Sequence, residues 1–244
     1  MFRRLGGAIG MAVIAALCAP TDASAFRVAP MVYELAPSGS GTSQVIRVEN
    51  TDDQPITLEI LVNRRSIAPD GTEQRTPAED DFIVFPPQTV VQPGETQAFR
   101  LQYIGPQSIT ESSTYAITVA QLPIEIGETN FQGIQVVYNF TTTAHVVPPG
   151  AEPGLTIVEA VAGPGAEQVT VRLRNAGNKH AYMTPLIWVL RNGRGEEIAF
   201  RDNDLIEIIG ISFIQPGKTR EIVFPVPAGF AAAGGLTAMS RPVE

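Results

Sequence analysis

Two stretches of this chain repeat each other. Residues 90–99 read Val-Val-Gln-Pro-Gly-Glu-Thr-Gln-Ala-Phe, and residues 213–222 read Phe-Ile-Gln-Pro-Gly-Lys-Thr-Arg-Glu-Ile. A second echo sets residues 45–50, ending in Asn50, against residues 171–175, ending in Asn175. Pro93 and Pro216 lie 123 residues apart, and Asn50 and Asn175 lie 125 apart. Solenoid repeats run about 20–50 residues, so a period this long is a whole domain. The chain is expected to hold two copies of one β-rich module in tandem.

The N-terminus is set aside before any fold argument. Arg3 and Arg4 precede an apolar stretch from Gly6 to Cys18, and Ala23, Ser24 and Ala25 stand before Phe26. That is the pattern of a secretory signal over residues 1–25. The apolar run is too short to span a bilayer, and no later stretch approaches about 18 apolar residues. Leu17 stands where a lipoprotein signal wants a small residue. The expectation is a soluble exported protein without membrane insertion. Beyond residue 25 there remain 219 residues, room for two domains with a core each. Cys18 is the only cysteine, so disulfides, thiol chemistry and cysteine zinc sites are excluded from the exported part. The net charge is −8, and −9 once Arg3, Arg4 and Asp22 leave with the signal. Such acidity, without a dense Lys/Arg patch, argues against nucleic acid or anionic membrane as a partner.

Strand signals dominate the rest. The first module, residues 26–147, reads as strands near 26–34, 45–49, 56–63, 82–85, 96–103 and 115–121, then a long one over 131–147. Six or seven short strands separated by Pro/Gly breakers are the mark of an antiparallel sandwich. Pro86 and Pro87, directly after an apolar strand, suit a kink where the chain changes sheets. Residues 148–154 hold three prolines and two glycines and read as a linker. The second module, residues 155–244, reads as strands near 155–160, 168–175, 184–190, 197–200, 206–211 and 219–225, with a turn and an edge strand to follow.

The 131–147 stretch is the most constraining single segment. A strand usually has about 5–6 residues, and this one reads as roughly three times that. Ile134, Val136, Tyr138 and Phe140 share one face. As the last strand of its module it is expected at a sheet edge. A long apolar edge without Lys or Pro is what soluble proteins avoid, unless the edge is lent to a partner that lacks a strand. The other reading is that these four residues face the module's own core.

The order of features resembles periplasmic pilus-assembly chaperones of the chaperone–usher pathway. The resemblance rests on Asp81 to Pro87, the Gln92–Gly94 turn, Gln97 to Leu101 followed by Tyr103, Ile104 and Gly105, Tyr115 to Ile117 and Gln121 to Pro123. It continues through the alternating strand ending before Pro148 and through Leu173 to Ala181. It covers essentially all of the chain after residue 25 and is nearest the archaic, spore-coat-like branch. It implies two immunoglobulin-like sandwiches in an L or boomerang arrangement, an all-β fold. It implies a non-enzymatic protein without cofactor or metal, acting in the periplasm. Its partners would be pilin subunits and an outer-membrane usher. The last strand of the first module would complete the subunit, the donor-strand mode of β-augmentation. Ile134, Val136, Tyr138 and Phe140 would then fill the subunit's groove, each worth on the order of 1.5–3 kcal/mol gross. The family usually carries two basic residues that hold the subunit's C-terminal carboxylate. Here those positions align with Val32 and Thr143. Arg100 is therefore the first candidate for the anchor, and Arg27 the second, with His145 also near in sequence.

Other constellations carry less. His145 and His180 are the only histidines and supply no Ser-His-Asp set. Asp202, Asn203, Asp204 and Glu207 cluster hard oxygen ligands, but read as a solvated acidic turn rather than a calcium site. Glu79, Asp80 and Asp81 read as a charged loop, and Trp188 as core. Two other functions fit a pair of sandwiches less well. A displayed adhesin would want junction calcium ligands or an anchoring tail, and a secreted hydrolase would want an acid, a base and a nucleophile.

Overall fold

The computed structural model describes residues 26–123, 136–165, 167–184 and 186–242. Its first half is two packed sheets. The strands are β1 (Phe26–Ala29), β2 (Val32–Leu35), β3 (Ser43–Asn50), β4 (Ile56–Ile67), β5 (Glu73–Pro77), β6 (Phe82–Phe85), β7 (Gln88–Val91), β8 (Thr96–Tyr103), β9 (Ser113–Leu122) and β10 (Asn139–Val146). One sheet runs β1-β3-β8-β6; the other runs β2-β10-β9-β4-β5, with β7 also on β4. Alternation explains the layering: Ile46 and Val48, Leu58, Phe99 and Leu101, and Ile117 and Val119 turn inward and are buried.

Two of the crossings between the sheets fall at a proline. Pro30 separates β1 from β2, where the sequence suggested one strand over 26–34, and Pro86 separates β6 from β7. Both prolines follow cis peptide bonds. A proline has no N–H to give a ladder, so the break between sheets falls there.

The second half is built the same way from β11 (Leu155–Ala162), β12 (Gln168–Asn175), β13 (Ala181–Tyr182), β14 (Leu186–Arg191), β15 (Glu197–Phe200), β16 (Phe213–Ile214), β17 (Thr219–Pro225) and β18 (Thr237–Pro242). Its sheets are β11-β12-β17, β15-β14-β18 and the pair β13-β16. A separate core gathers Val169, Val171, Leu173, Trp188, Leu190, Ile222 and Phe224. Trp188 Nε1 donates to the Met183 carbonyl at 3.0 Å, which satisfies its buried polar atom.

Two expected strands differ from the structure. Residues 206–211 were expected as a strand, but α1 (Asp202–Ile209) occupies that place. Leu205 and Ile209, four apart, are buried while Ile206 is exposed, which is the helical period rather than period two. Gly210, at φ +63, ends the helix by donating to the Ile206 carbonyl. Of the long strand expected over 131–147, residues 131–135 lie outside the described residues, 136–138 are not strand, and β10 is Asn139–Val146. Its regular pairing with β9 begins at Asn139; at Tyr138 the Gln121 N–H still donates to the Tyr138 carbonyl, but the Tyr138 N–H goes to the Gln121 side chain.

The two sequence echoes are one repeated device. Asn50 and Asn175 are each fully buried at the end of an inner strand. Asn50 Nδ2 donates to the carbonyls of Val91 and Gln54, and Asn175 Nδ2 to those of Ile214 and Lys179. Gly94 N–H donates to the Asn50 carbonyl and Gly217 N–H to that of Asn175, both at 2.9 Å. Pro93 and Pro216 preset the second residue of each turn, and Gly94 and Gly217 supply the positive φ of the third. Each module thus ties a turn to a strand end through one asparagine.

Candidate functional site

β10 lies inside its sheet for only half its length. β2 pairs with it in parallel from Thr143 to Val146, with Thr143 opposite Val32. Over Asn139–Thr142 it pairs with β9 alone, and among the described residues no strand takes its other side. It is an edge strand at its N-terminal end and an interior one at its C-terminal end, not an edge throughout as its chain position suggested. A strand added along the bare part would run into the start of β2, so its end would fall beside Val32 and Thr143.

A cavity of about 170 Å³ opens there. Its polar lining is Arg65, Thr143, His145 and Ser212, and its apolar lining includes Val32, Tyr182, Ile211 and Phe213. Arg65 comes from β4, directly across the ladder from Arg75 of β5. Two cations opposite each other repel, and Glu73 bridges them, accepting from Arg65 Nη2 at 2.6 Å and from Arg75 Nε. Burial pushes the Glu73 carboxyl up, but hydrogen bonds from Arg75 and Arg65 outweigh it and hold the group below its usual range. One carboxylate between two guanidiniums leaves a surplus positive charge. Arg65 Nη1 donates to Thr143 Oγ1 at 2.8 Å, and its guanidinium sits 5.5 Å from the Phe213 ring centre. Arg65 Nε and His145 Nε2 are buried without a hydrogen-bond partner.

The back of the cavity is a junction between the two halves. His145 of β10 and His180, from the loop before β13, stack with centroids 3.6 Å apart and planes 9° apart. Tyr182 and Phe213 meet them edge-on. His145 Nδ1 is hydrogen-bonded to Thr114 Oγ1 at 3.1 Å, and His180 Nε2 lies 3.3 Å from Glu34. Burial drives the His145 pKa down to about 2, helped by His180, Arg65 and Lys179. Burial also lowers His180 to about 4, against the pull of Glu34. Both rings are neutral at neutral pH. Lys179 pairs with Glu34, Ser112 Oγ accepts the His180 N–H, and the Gln215 side chain bonds both the Ile67 N–H and the Arg65 carbonyl.

The residues singled out in sequence fall into three groups. Ile134 lies outside the described residues. Val136 is 57% exposed, whereas Tyr138 and Phe140 are half-buried against the module's own core, Phe140 edge-on to Phe26 at 4.8 Å. Arg27 and Arg100 belong to β1 and β8 of the other sheet. Arg27 pairs with Glu49 at 3.5 Å, and Arg100 lies among Ile83, Phe85 and Gln102. The structure does not bring either to Val32 and Thr143. Arg65 is the guanidinium there, and nothing within ten residues of it in sequence marks it. The acidic residues at 202–207 form the start of α1, and Asp81 accepts hydrogen bonds from Arg64 and the Tyr115 hydroxyl.

The fold and the site thus present two sandwiches, the first with a half-bare strand that ends at a cationic cavity. Residues 33–149 match the family described as pili and flagellar-assembly chaperone, PapD N-terminal domain, which marks the first module as a domain of that kind. Solved structures agree over most of the chain's length. A chain of the CsuC–CsuE chaperone–tip adhesion subunit pre-assembly complex, from archaic chaperone-usher Csu pili of Acinetobacter baumannii, is 14% identical with a TM-score of 0.57. The match covers 89% of this chain and 98% of that one. A chain of the Salmonella enterica SafA pilin–SafB chaperone complex is 17% identical with a TM-score of 0.55, covering 91% and 98%. The E. coli chaperone DraB is 16% identical with a TM-score of 0.52, covering 91% and 96%. At such identities the likeness shows the fold, two immunoglobulin-like sandwiches. No curated protein sequence matches significantly.

Proposed function

We propose that this protein captures strand-deficient pilin subunits in the periplasm and delivers them to an outer-membrane usher. The observation that carries the reading is the bare N-terminal half of β10 running into the Arg65 cavity. An incomplete subunit exposes an apolar groove and unpaired backbone groups. β10 offers the missing ladder, with Val136 exposed ahead of it. The direction of the added strand follows from charge. A chain end beside a surplus guanidinium is a carboxylate end, so the client strand runs parallel to β10 and its C-terminus meets Arg65 rather than Arg100 or Arg27. Residues 26–147 and 155–244 act as two domains around residues 148–154, supported by their separate cores. The predicted signal over residues 1–25 supports export, and no described helix is long and apolar enough to cross a membrane.

The test is co-expression with a pilin subunit. Val136→Asp places a charge on the exposed donor position without touching the core. Subunit recovered with the chaperone should fall at least about tenfold, the factor for 1.4 kcal/mol, while the melting temperature stays unchanged. Full capture by this variant would refute strand donation through this segment.

A further inference from the structure

The cavity has a side that a carboxylate does not use. Beside Arg65 and Thr143 the lining holds Val32, Tyr182, Ile211 and Phe213, whose side chains are largely apolar. Val32 is 51% exposed at its mouth, an apolar side chain left uncovered. The volume, about 170 Å³, suits a side chain as well as a carboxylate; a dry apolar cavity of about 150 Å³ takes up benzene. Charge narrows the choice further. Arg65 and Arg75 outnumber Glu73, so a lysine end would meet like charge. An aspartate end would bring a second carboxylate into a largely apolar lining whose one guanidinium is already taken by the first, and burying a charge without a partner is costly.

We infer that the cavity reads the client's last side chain along with its carboxylate and accepts an apolar one, aliphatic or aromatic. This rests on the reading that a client strand ends at Arg65. It makes the cavity a filter: subunits ending in a charged residue are held there more weakly than those ending in an apolar one.

Capped amino acids test the cavity without engaging the bare edge. Nuclear magnetic resonance titration of the isotopically labelled protein would follow Thr143, Ser212 and Phe213. The probes are N-acetylphenylalanine, N-acetylleucine, N-acetylglycine, N-acetylaspartate and N-acetylphenylalaninamide. The phenylalanine and leucine acids should saturate these signals and bind about tenfold more tightly than the glycine and aspartate acids. The amide should not bind. Arg65→Met should abolish the shifts; if that variant is misfolded, Val32→Glu, at a half-exposed position, should abolish them instead. Equal affinity for all the acids, or an amide that binds as well as its acid, overturns the inference. So does the absence of saturation by N-acetylphenylalanine up to about 50 mM. Pilin capture is read separately by Val136→Asp, so a cavity without preference overturns only the filter, and loss of strand donation only the chaperone reading.

Discussion

Asp52 and Gly177 occupy the same place in the two modules. Each is the second residue after the buried asparagine, and each gives its N–H to that asparagine's Oδ1, at 2.9 and 3.1 Å. Around Asp52 the turn is open, and an ordinary side chain fits. Around Gly177 the interdomain segment packs down: a Cβ there would lie 2.3 Å from the Glu152 oxygen and 2.5 Å from the Gly154 nitrogen. Glu152 and Gly154 are also hydrogen-bonded to Asn178 and Asn175. The same local device is free in one module and serves as the seat of the connecting chain in the other. Gln92 and Gln215 differ in the same way, since Gln92 is exposed while Gln215 holds the backbone of Arg65 and Ile67. Repetition preserved the turn; docking gave its second copy new partners.

The sharpest way to break this comparison is Gly177→Ala. Its Cβ meets backbone that cannot move aside, so unfolding in denaturant should show a loss of about 4 kcal/mol or more. Asp52→Gly should change stability by less than about 1 kcal/mol. Equal losses would mean that the connecting segment does not press on this turn.

Removing the asparagines tests the shared part. Asn175→Ala breaks four side-chain hydrogen bonds and Asn50→Ala three. At about 0.5–1.5 kcal/mol each, thermal and chemical melts should show roughly 2–5 kcal/mol lost, with Asn175→Ala the worse. A silent substitution at either site would remove the asparagine from the account of that module.

Gln215→Ala should cost about 1–2 kcal/mol for its two bonds across the junction, and Gln92→Ala under about 0.5 kcal/mol. If both are silent, the second turn does not brace Arg65.

The smallest effect at neutral pH, and a growing one below it, belongs to the histidines. Both have folded pKa values, about 2 and about 4, beneath the ordinary 6.5. Protons therefore bind the unfolded chain first, and stability must fall as pH drops below about 6.5. The depressed carboxyl of Glu73 begins at 4.5 when unfolded and loses its contribution only at lower pH. In the upper part of this range, above about pH 5.5, the histidines dominate, because the depressed carboxyls of Glu73 and Glu196 start from 4.5 when unfolded. Urea midpoints should fall through this window in the natural protein and stay nearly flat in His145→Gln/His180→Gln. A flat natural profile would mean that the stack is open to water.

How far the chain could be read beforehand depended on distance along it. β8, β12, β15 and β17 have the bounds that alternation and the Gln-Pro-Gly turns suggest. Trp188 was legible as core and Pro86 as a crossing between sheets. α1 was misread because Ile206 and Ile208, like Ile209 and Ile211, are two apart and also fit period two, and only the burial of Leu205 and Ile209 separates the two periods. Among the described residues β10 begins at Asn139 although apolar alternation reaches further back, and the Tyr138 N–H is taken by the side chain of Gln121, a residue of another strand. The anchor was sought at Arg100 and Arg27 because they stood near recognisable motifs. Arg65 reaches Thr143 across 78 positions, a contact set by the register of β4, β9 and β10.

The sequence by itself determined the doubling, the sandwich class, the turns and the buried asparagines. These follow from short-range causes: the fixed φ of proline, the positive φ open to glycine, and side chains that bond backbone a few residues away. Only the tertiary structure decided that β10 is half bare, that Arg65 and Arg75 share one carboxylate beside it, and that His145 rests on His180. Those contacts depend on strand register and on how two modules meet, and both are set by long-range packing that leaves no period in the chain.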